Sequence, residues 1–149
     1  MDKSILTSLK ALIEGEDNLT ANLANASALI NQEMENINWV GFYIFSKESD
    51  CLILGPFQGK PACVRIPNGK GVCGTAFSQN KTLRVPDVHE FPGHIACDEA
   101  SRSEIVIPFR FGNSVSGVLD IDSPVTERFT PGDEDILSEF MEILTEHYR

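Results

Sequence analysis

Positive charge is what this sequence has least of: 12 Lys and Arg stand against 22 Asp and Glu in 149 residues, a formal net charge of −10. A phosphate backbone is bound by clustered Lys and Arg that displace its counterions, so nucleic-acid binding is disfavoured, while a cationic or zwitterionic ligand stays open. Long apolar runs are also missing. No window approaches the roughly 18 apolar residues of a spanning helix. The opening Met1-Asp2-Lys3-Ser4-Ile5-Leu6 has neither the basic stretch nor the apolar run of a secretory signal. A cytoplasmic protein away from membranes is the expectation. The sequence has no internal repeat and no low-complexity tract. What is there is an ordinary globular composition, 42% hydrophobic and 23% charged, in a chain of one domain's length that can form a core without staples. Its four cysteines then point to metal binding, redox chemistry or plain burial rather than to a stapling framework.

Apolar residues recur at helical spacing in Ile5, Leu6, Leu9, Leu12 and Ile13, and again in Leu19, Leu23, Ala26, Ile30 and Met34, which predicts two leading amphipathic helices. Residues 39–45 are aromatic and β-branched, and after a turn at 47–50 a second run, 51–54, completes a hairpin. Residues 62–66 suit a third strand and 71–79 a short helix. The stretch 83–103 is mostly polar and punctuated by Pro86, Pro92 and Gly93. A loop of that length is usually functional or disordered. Two more strands follow at 104–111 and 115–122. The last helix starts with Thr130 as cap and Pro131 in its first turn, with Ile136, Leu137, Phe140, Met141 and Leu144 on one face. This order predicts an α+β sandwich in which helices from both termini flank a central, mainly antiparallel sheet.

Side chains alternate across a strand, so Ile105, Ile107, Phe109 and Phe111 share a face opposite Glu104, Val106, Pro108 and Arg110. In the next strand Val115, Leu119 and Ile121 oppose Asp120 and Asp122. Putting both apolar faces on one side of the sheet requires the odd loop Gly112-Asn113-Ser114. That loop pairs Phe111 with Val115, Glu104 with Asp122 and Val106 with Asp120. Acids directly opposite one another repel, so either one keeps its proton, a cation sits there, or the acids splay into water. The loop lacks the alternating Asp, Asn and Gly ligands of a calcium site. By the same parity Trp39, Gly41, Tyr43 and Phe45 share a face. An aromatic pair around a glycine can wall a small apolar pocket or simply fill a core.

Cys63, Cys73 and Cys97 also lack the two-to-four-residue spacing of structural zinc pairs. His89, His94 and Cys97 supply ligand types at loop spacing, and they read equally well as polar loop residues. Cys51 reads as a small apolar residue in a strand. The segments Asn38-Trp39-Val40-Gly41-Phe42-Tyr43, Gly55-Pro56-Phe57-Gln58-Gly59, Gly69-Lys70-Gly71-Val72-Cys73-Gly74, Pro92-Gly93-His94-Ile95-Ala96-Cys97-Asp98 and Gly117-Val118-Leu119-Asp120-Ile121-Asp122 resemble the free methionine-(R)-sulfoxide reductases, single-domain enzymes of the GAF fold. The likeness runs over nearly the whole chain. GAF domains include many ligand sensors, so the cysteine spacing is the more specific feature.

The resemblance implies a single GAF domain over residues 1–149 that reduces free methionine-(R)-sulfoxide, with no metal or bound cofactor. It implies Cys97 as the nucleophile that becomes a sulfenic acid and Cys63 as the main resolving thiol. Cys73 matches a further cysteine able to join disulfide exchange, and the resting pair is open between Cys63–Cys97 and Cys73–Cys97. Trp39 and Tyr43 match residues that hold the substrate's methyl group. Glu104, Asp120 and Asp122 match acids that bind the substrate and polarise its sulfoxide, with Glu104 and Asp122 on the catalytic side. Thioredoxin is the implied electron donor. A homodimer is open as well, since the leading apolar stripes serve a second copy or the domain's own core equally. A non-enzymatic GAF sensor and a zinc domain are the competing readings.

Overall fold

The computed structural model describes the chain except for positions 96 and 98. Two helices open it, α1 (Ser4–Ile13) and α2 (Leu19–Glu33). The side chain of Asn18 caps α2 by accepting from the Ala21 amide at 2.9 Å. Strands β1 (Trp39–Ser46) and β2 (Cys51–Gly59) form a hairpin, and β3 (Arg65–Pro67) leads into α3 (Gly71–Gln79). After β4 (Leu83–Val85) and a short 3₁₀ turn (Val88–Glu90), strands β5 (Ser103–Phe111) and β6 (Val115–Ser123) make a second hairpin, and α4 (Pro131–His147) closes the fold. Thr130 and Asp133 cap α4 reciprocally, each side chain accepting from the other's backbone N–H at 3.1 Å.

The sheet order is β3-β2-β1-β6-β5-β4, every pairing antiparallel. The expected α+β architecture stands, with three differences in detail. β2 runs on to Gly59 because its continuation pairs with the start of β1 past an irregularity at Gly41–Tyr43. β3 lies at 65–67 rather than 62–66, leaving Cys63 in an irregular segment. The polar stretch after residue 82 contributes an edge strand, β4, pairing Val85 with Glu104.

Apolar alternation divides the sheet's two faces. Val40, Phe42, Ile105, Ile107, Phe109, Phe111, Leu119 and Ile121 face the core formed with α1, α2 and α4. There Ile5, Leu9, Leu23, Ile30, Leu137 and Phe140 are buried, so the stripes of α1 and α2 are used within this chain. The opposite face packs a smaller cluster, Trp39, Tyr43, Leu52, Val106 and Val118, against α3 with Val72, Cys73, Ala76 and Phe77. Polar groups enter the interior on this second side. Among the described residues no helix is long and apolar enough to cross a membrane.

Candidate active site

The register of β5 and β6 is the one the apolar pattern requires: Phe111 opposite Val115, Val106 opposite Asp120, Glu104 opposite Asp122. β1 lies on the other side of β6, where Trp39 pairs with Asp122 and Gly41 with Asp120. Trp39, Asp120, Asp122, Glu104 and Val106, from three neighbouring strands, therefore share the face away from the large core. A Cβ at Gly41 would collide with the Phe57 side chain, so only glycine lets β1 and β2 approach closely between the two aromatics. Trp39 stacks on Tyr43 with centroids 5.8 Å apart and on Phe57 at 5.2 Å.

The acids are not splayed into water. Glu104 is 6% exposed and Asp120 5%, while Asp122 is half-buried. Burial first, then the charges of Asp120 and Asp122, holds the Glu104 carboxyl well above its ordinary range. Burial also raises Asp120, partly offset by hydrogen bonds from Glu104 and Cys73. Both shifts favour the protonated form, the direction in which retained protons relieve such crowding. The Cys73 thiol, buried at the start of α3, lies 3.8 Å from Glu104 Oε2 as a donor. Burial, followed by the charges of Asp120, Glu104 and Asp122, pushes this thiol up.

Cys63 and Cys97 are joined by a disulfide, with Cα atoms 5.5 Å apart. Cys73 and Cys51 carry free thiols, the latter half-buried in β2 as expected of a small strand residue. The bridge closes one wall of a small cavity of about 30 Å³, lined also by Trp39, Tyr43, Glu104 and Asp122. That space holds little more than water. Asp120 and Cys73 are absent from its lining and sit beside Glu104. Of the residues singled out in the sequence, the structure thus gathers Trp39, Tyr43, Cys97, Glu104 and Asp122 around one space, with Cys63, Cys73 and Asp120 directly behind or bonded to them.

The cavity adds Pro61, Ala62, Ile95 and Ser101, to which the sequence assigned no site role, and His94, which read there as a metal ligand or a polar loop residue. The available signal was adjacency: each lies within four residues of Cys63 or Cys97. Gly71 opens α3 at φ +63°, a conformation suited to glycine, and its missing Cβ leaves room for Ile95 about 3.1 Å away, which seats the Cys97 loop on α3. Ala96 and Asp98 of the same loop lie outside the described residues. Among the described residues, Cys73, Glu104 and Asp120 are the group of ligand types that lie close together, with donor atoms within 4.8 Å of one another, and could hold a divalent cation. The His89–His94–Cys97 alternative does not assemble in this form, since the Cys97 sulfur is bonded to Cys63.

A disulfide beside buried carboxyls, on an antiparallel sheet backed by terminal helices, marks the candidate site of a GAF fold, and the GAF domain family matches residues 18–145. The Escherichia coli free methionine-R-sulfoxide reductase is 59% identical over 83% of this chain and 74% of its own length. The reduced form of a Staphylococcus aureus fRMsr superposes with a TM-score of 0.93 at 49% identity, covering 98% of this chain and 94% of the other. A Neisseria meningitidis free methionine-R-sulfoxide reductase, in complex with its substrate, gives 0.92 at 40% identity over 99% and 91% of the two chains. This chain belongs to the free methionine-(R)-sulfoxide reductases, a family of GAF-domain oxidoreductases.

Proposed function

We propose that the chain, as a single GAF domain over 1–149, reduces free L-methionine-(R)-sulfoxide to L-methionine through Cys97. The observation that carries this reading is that Cys97, bridged to Cys63, lines one cavity together with Glu104 and Asp122. A sulfoxide is a poor electrophile until its oxygen is protonated, and a carboxyl kept protonated by burial and neighbouring acids supplies that proton at neutral pH. Glu104 is the acid, with Asp122 sharing the proton network. Asp122 and Asp120 also attract the substrate ammonium, and backbone N–H groups of the glycine-containing loops take its carboxylate. A methionine within a peptide has no free ammonium, which accounts for selectivity towards the free amino acid. The rings of Trp39 and Tyr43 hold the methyl group.

In the chemical step the Cys97 thiolate attacks the sulfoxide sulfur as Glu104 protonates the oxygen. The oxygen ends on Cys97 as a sulfenic acid, and the thioether leaves as methionine. The Cys63 thiol then displaces water from that sulfenic acid and forms the disulfide. Two thiols are oxidised for each sulfoxide reduced. A dithiol of the thioredoxin type restores them by exchange. Cys73 is left at most a secondary part in that exchange, because its buried thiol is pushed up and therefore holds little of the nucleophilic thiolate. The bridged form is the end of the cycle, in which the Cys97 sulfur is bonded to Cys63 and so is not available to attack substrate. No metal or bound cofactor takes part, the setting is cytoplasmic, and a homodimer would use surface outside the core, such as Leu12 at 43% exposure.

A thioredoxin-coupled assay tests the proposal. Turnover is expected with free methionine-(R)-sulfoxide, and neither the S epimer nor a peptide-bound sulfoxide is expected to turn over at a comparable rate. Equal turnover of all three would contradict the site assignment.

A further inference from the structure

The two aromatics that wall the cavity also carry polar tips, and both tips point at the same short segment. Trp39 Nε1–H donates to the Lys60 carbonyl at 3.1 Å, and Tyr43 O–H donates to the Cys63 carbonyl at 2.9 Å. Both donors are side chains only 2% exposed, where a hydrogen bond holds geometry without competition from water. Between these two anchors run Lys60, Pro61, Ala62 and Cys63, a stretch with no regular secondary structure that connects β2 to β3. Its entry is pressed onto the same indole: a Cβ at Gly59, φ +139°, would meet Trp39 Cδ1 at 2.6 Å. Its exit is tied by the Leu54 N–H to the Val64 carbonyl at 2.9 Å. An irregular four-residue link is thus fixed at both ends by one rigid central strand, with the bridging cysteine at one of the anchored positions.

The geometry points to Trp39 and Tyr43 as positioning residues for the resolving step: their indole N–H and phenol O–H hold the 60–63 segment so that the Cys63 sulfur is already in place for Cys97. This deepens the assignment of Cys63 as resolving thiol and rests on it. Closing a disulfide removes freedom from both partners, and the equilibrium constant for closure is an effective concentration set by how much of that freedom was lost beforehand. In the bridged protein the segment is restrained by the disulfide as well, so losing an anchor loosens the dithiol form more than the bridged form. Closure then becomes less favourable and the bridge easier to reduce. The same rings that hold a methyl group would thereby tie substrate binding to recycling.

The test is the equilibrium of the Cys63–Cys97 pair in glutathione redox buffers, read by alkylation and mass measurement on the intact protein. Tyr43→Phe keeps the ring and deletes the donor beside Cys63. Its closure constant is expected to fall about three- to tenfold, one net hydrogen bond being the upper bound because the anchor is made in both forms, a tenfold fall being about 30 mV for a two-electron couple. Trp39→Phe, which deletes the anchor three residues away, is expected to shift the same way by less. Phe57→Leu removes the stack on Trp39 but neither donor, and is expected to stay within about twofold of wild type. Unchanged constants in both donor variants, or a Phe57→Leu shift as large as that of Tyr43→Phe, would overturn the positioning role. Failure of the wild type itself to form this bridge on treatment with substrate would instead overturn the assignment of Cys63.

Discussion

The two faces of the central sheet follow opposite rules. On the side covered by α1, α2 and α4, strand and helix stripes interlock as an apolar core, from Ile5 and Leu9 to Leu137 and Phe140. On the other side Glu104, Asp120 and Cys73 are buried to a similar degree, and no stability argument accounts for them, since burying carboxyls side by side is unfavourable unless protons are retained. The first face carries the larger core. The second packs its own apolar cluster against α3 and encloses acids in an unfavourable arrangement, of the kind that maintains shifted pKa values at functional sites.

The largest expected break in this comparison comes from Cys97→Ser, which should abolish even a single turnover while leaving the thermal unfolding of the reduced protein nearly unchanged; activity in that variant would move the nucleophile elsewhere. Next is Glu104→Gln. Losing the acid should lower kcat by about 10²- to 10⁴-fold, with a smaller effect on KM, as expected for an interaction made chiefly in the transition state. The same change should raise Tm at neutral pH. Glu104 has its folded pKa raised, so its contribution to stability is full below the ordinary carboxylate range and is lost as pH rises towards the folded value. Glutamine stays neutral, and the Tm gain should grow with pH. A Tm gain independent of pH would contradict the burial of a titrating acid.

On the apolar face Phe140→Ala, at a fully buried position, should cost about 3–5 kcal/mol of stability, with kcat retained at temperatures where the variant is folded. A Phe140→Ala protein that lost chemistry while fully folded would blur the division between faces. The smallest effect belongs to Thr130→Ala. Removing half of the reciprocal cap on α4 should cost about 1 kcal/mol and lower Tm by a few degrees without altering turnover.

The side-by-side acids were legible because a periodic rule placed them. Two strands of nine residues, with large apolar side chains recurring at alternate positions, admit one register once the loop Gly112-Asn113-Ser114 is fixed. Thr130 and Pro131 likewise marked the start of α4 from local chemistry alone. The parts missed are those no period governs. β4 is only three residues long and carries a single buried side chain, Val85, so its sequence looks like loop until β5 pairs with it. The 60–63 segment holds its shape through Trp39 and Tyr43, contacts that a reading of its own residues does not contain. Which cysteine bridges Cys97 was open for the same reason: residues 63 and 97 both lie in irregular chain, brought to 5.5 Å by tertiary packing across 34 positions. Cys73, by contrast, sits in a helix turn whose burial beneath Glu104 follows only from how α3 docks on the sheet.

The most direct test is a thiol count on fully reduced protein before and after one equivalent of free methionine-(R)-sulfoxide, with mapping of the bridge formed. Loss of two thiols per methionine produced, with Cys63 joined to Cys97 and Cys73 still titratable, is the predicted result. Methionine formed without loss of thiols, or a bridge that excludes Cys97, would contradict the account.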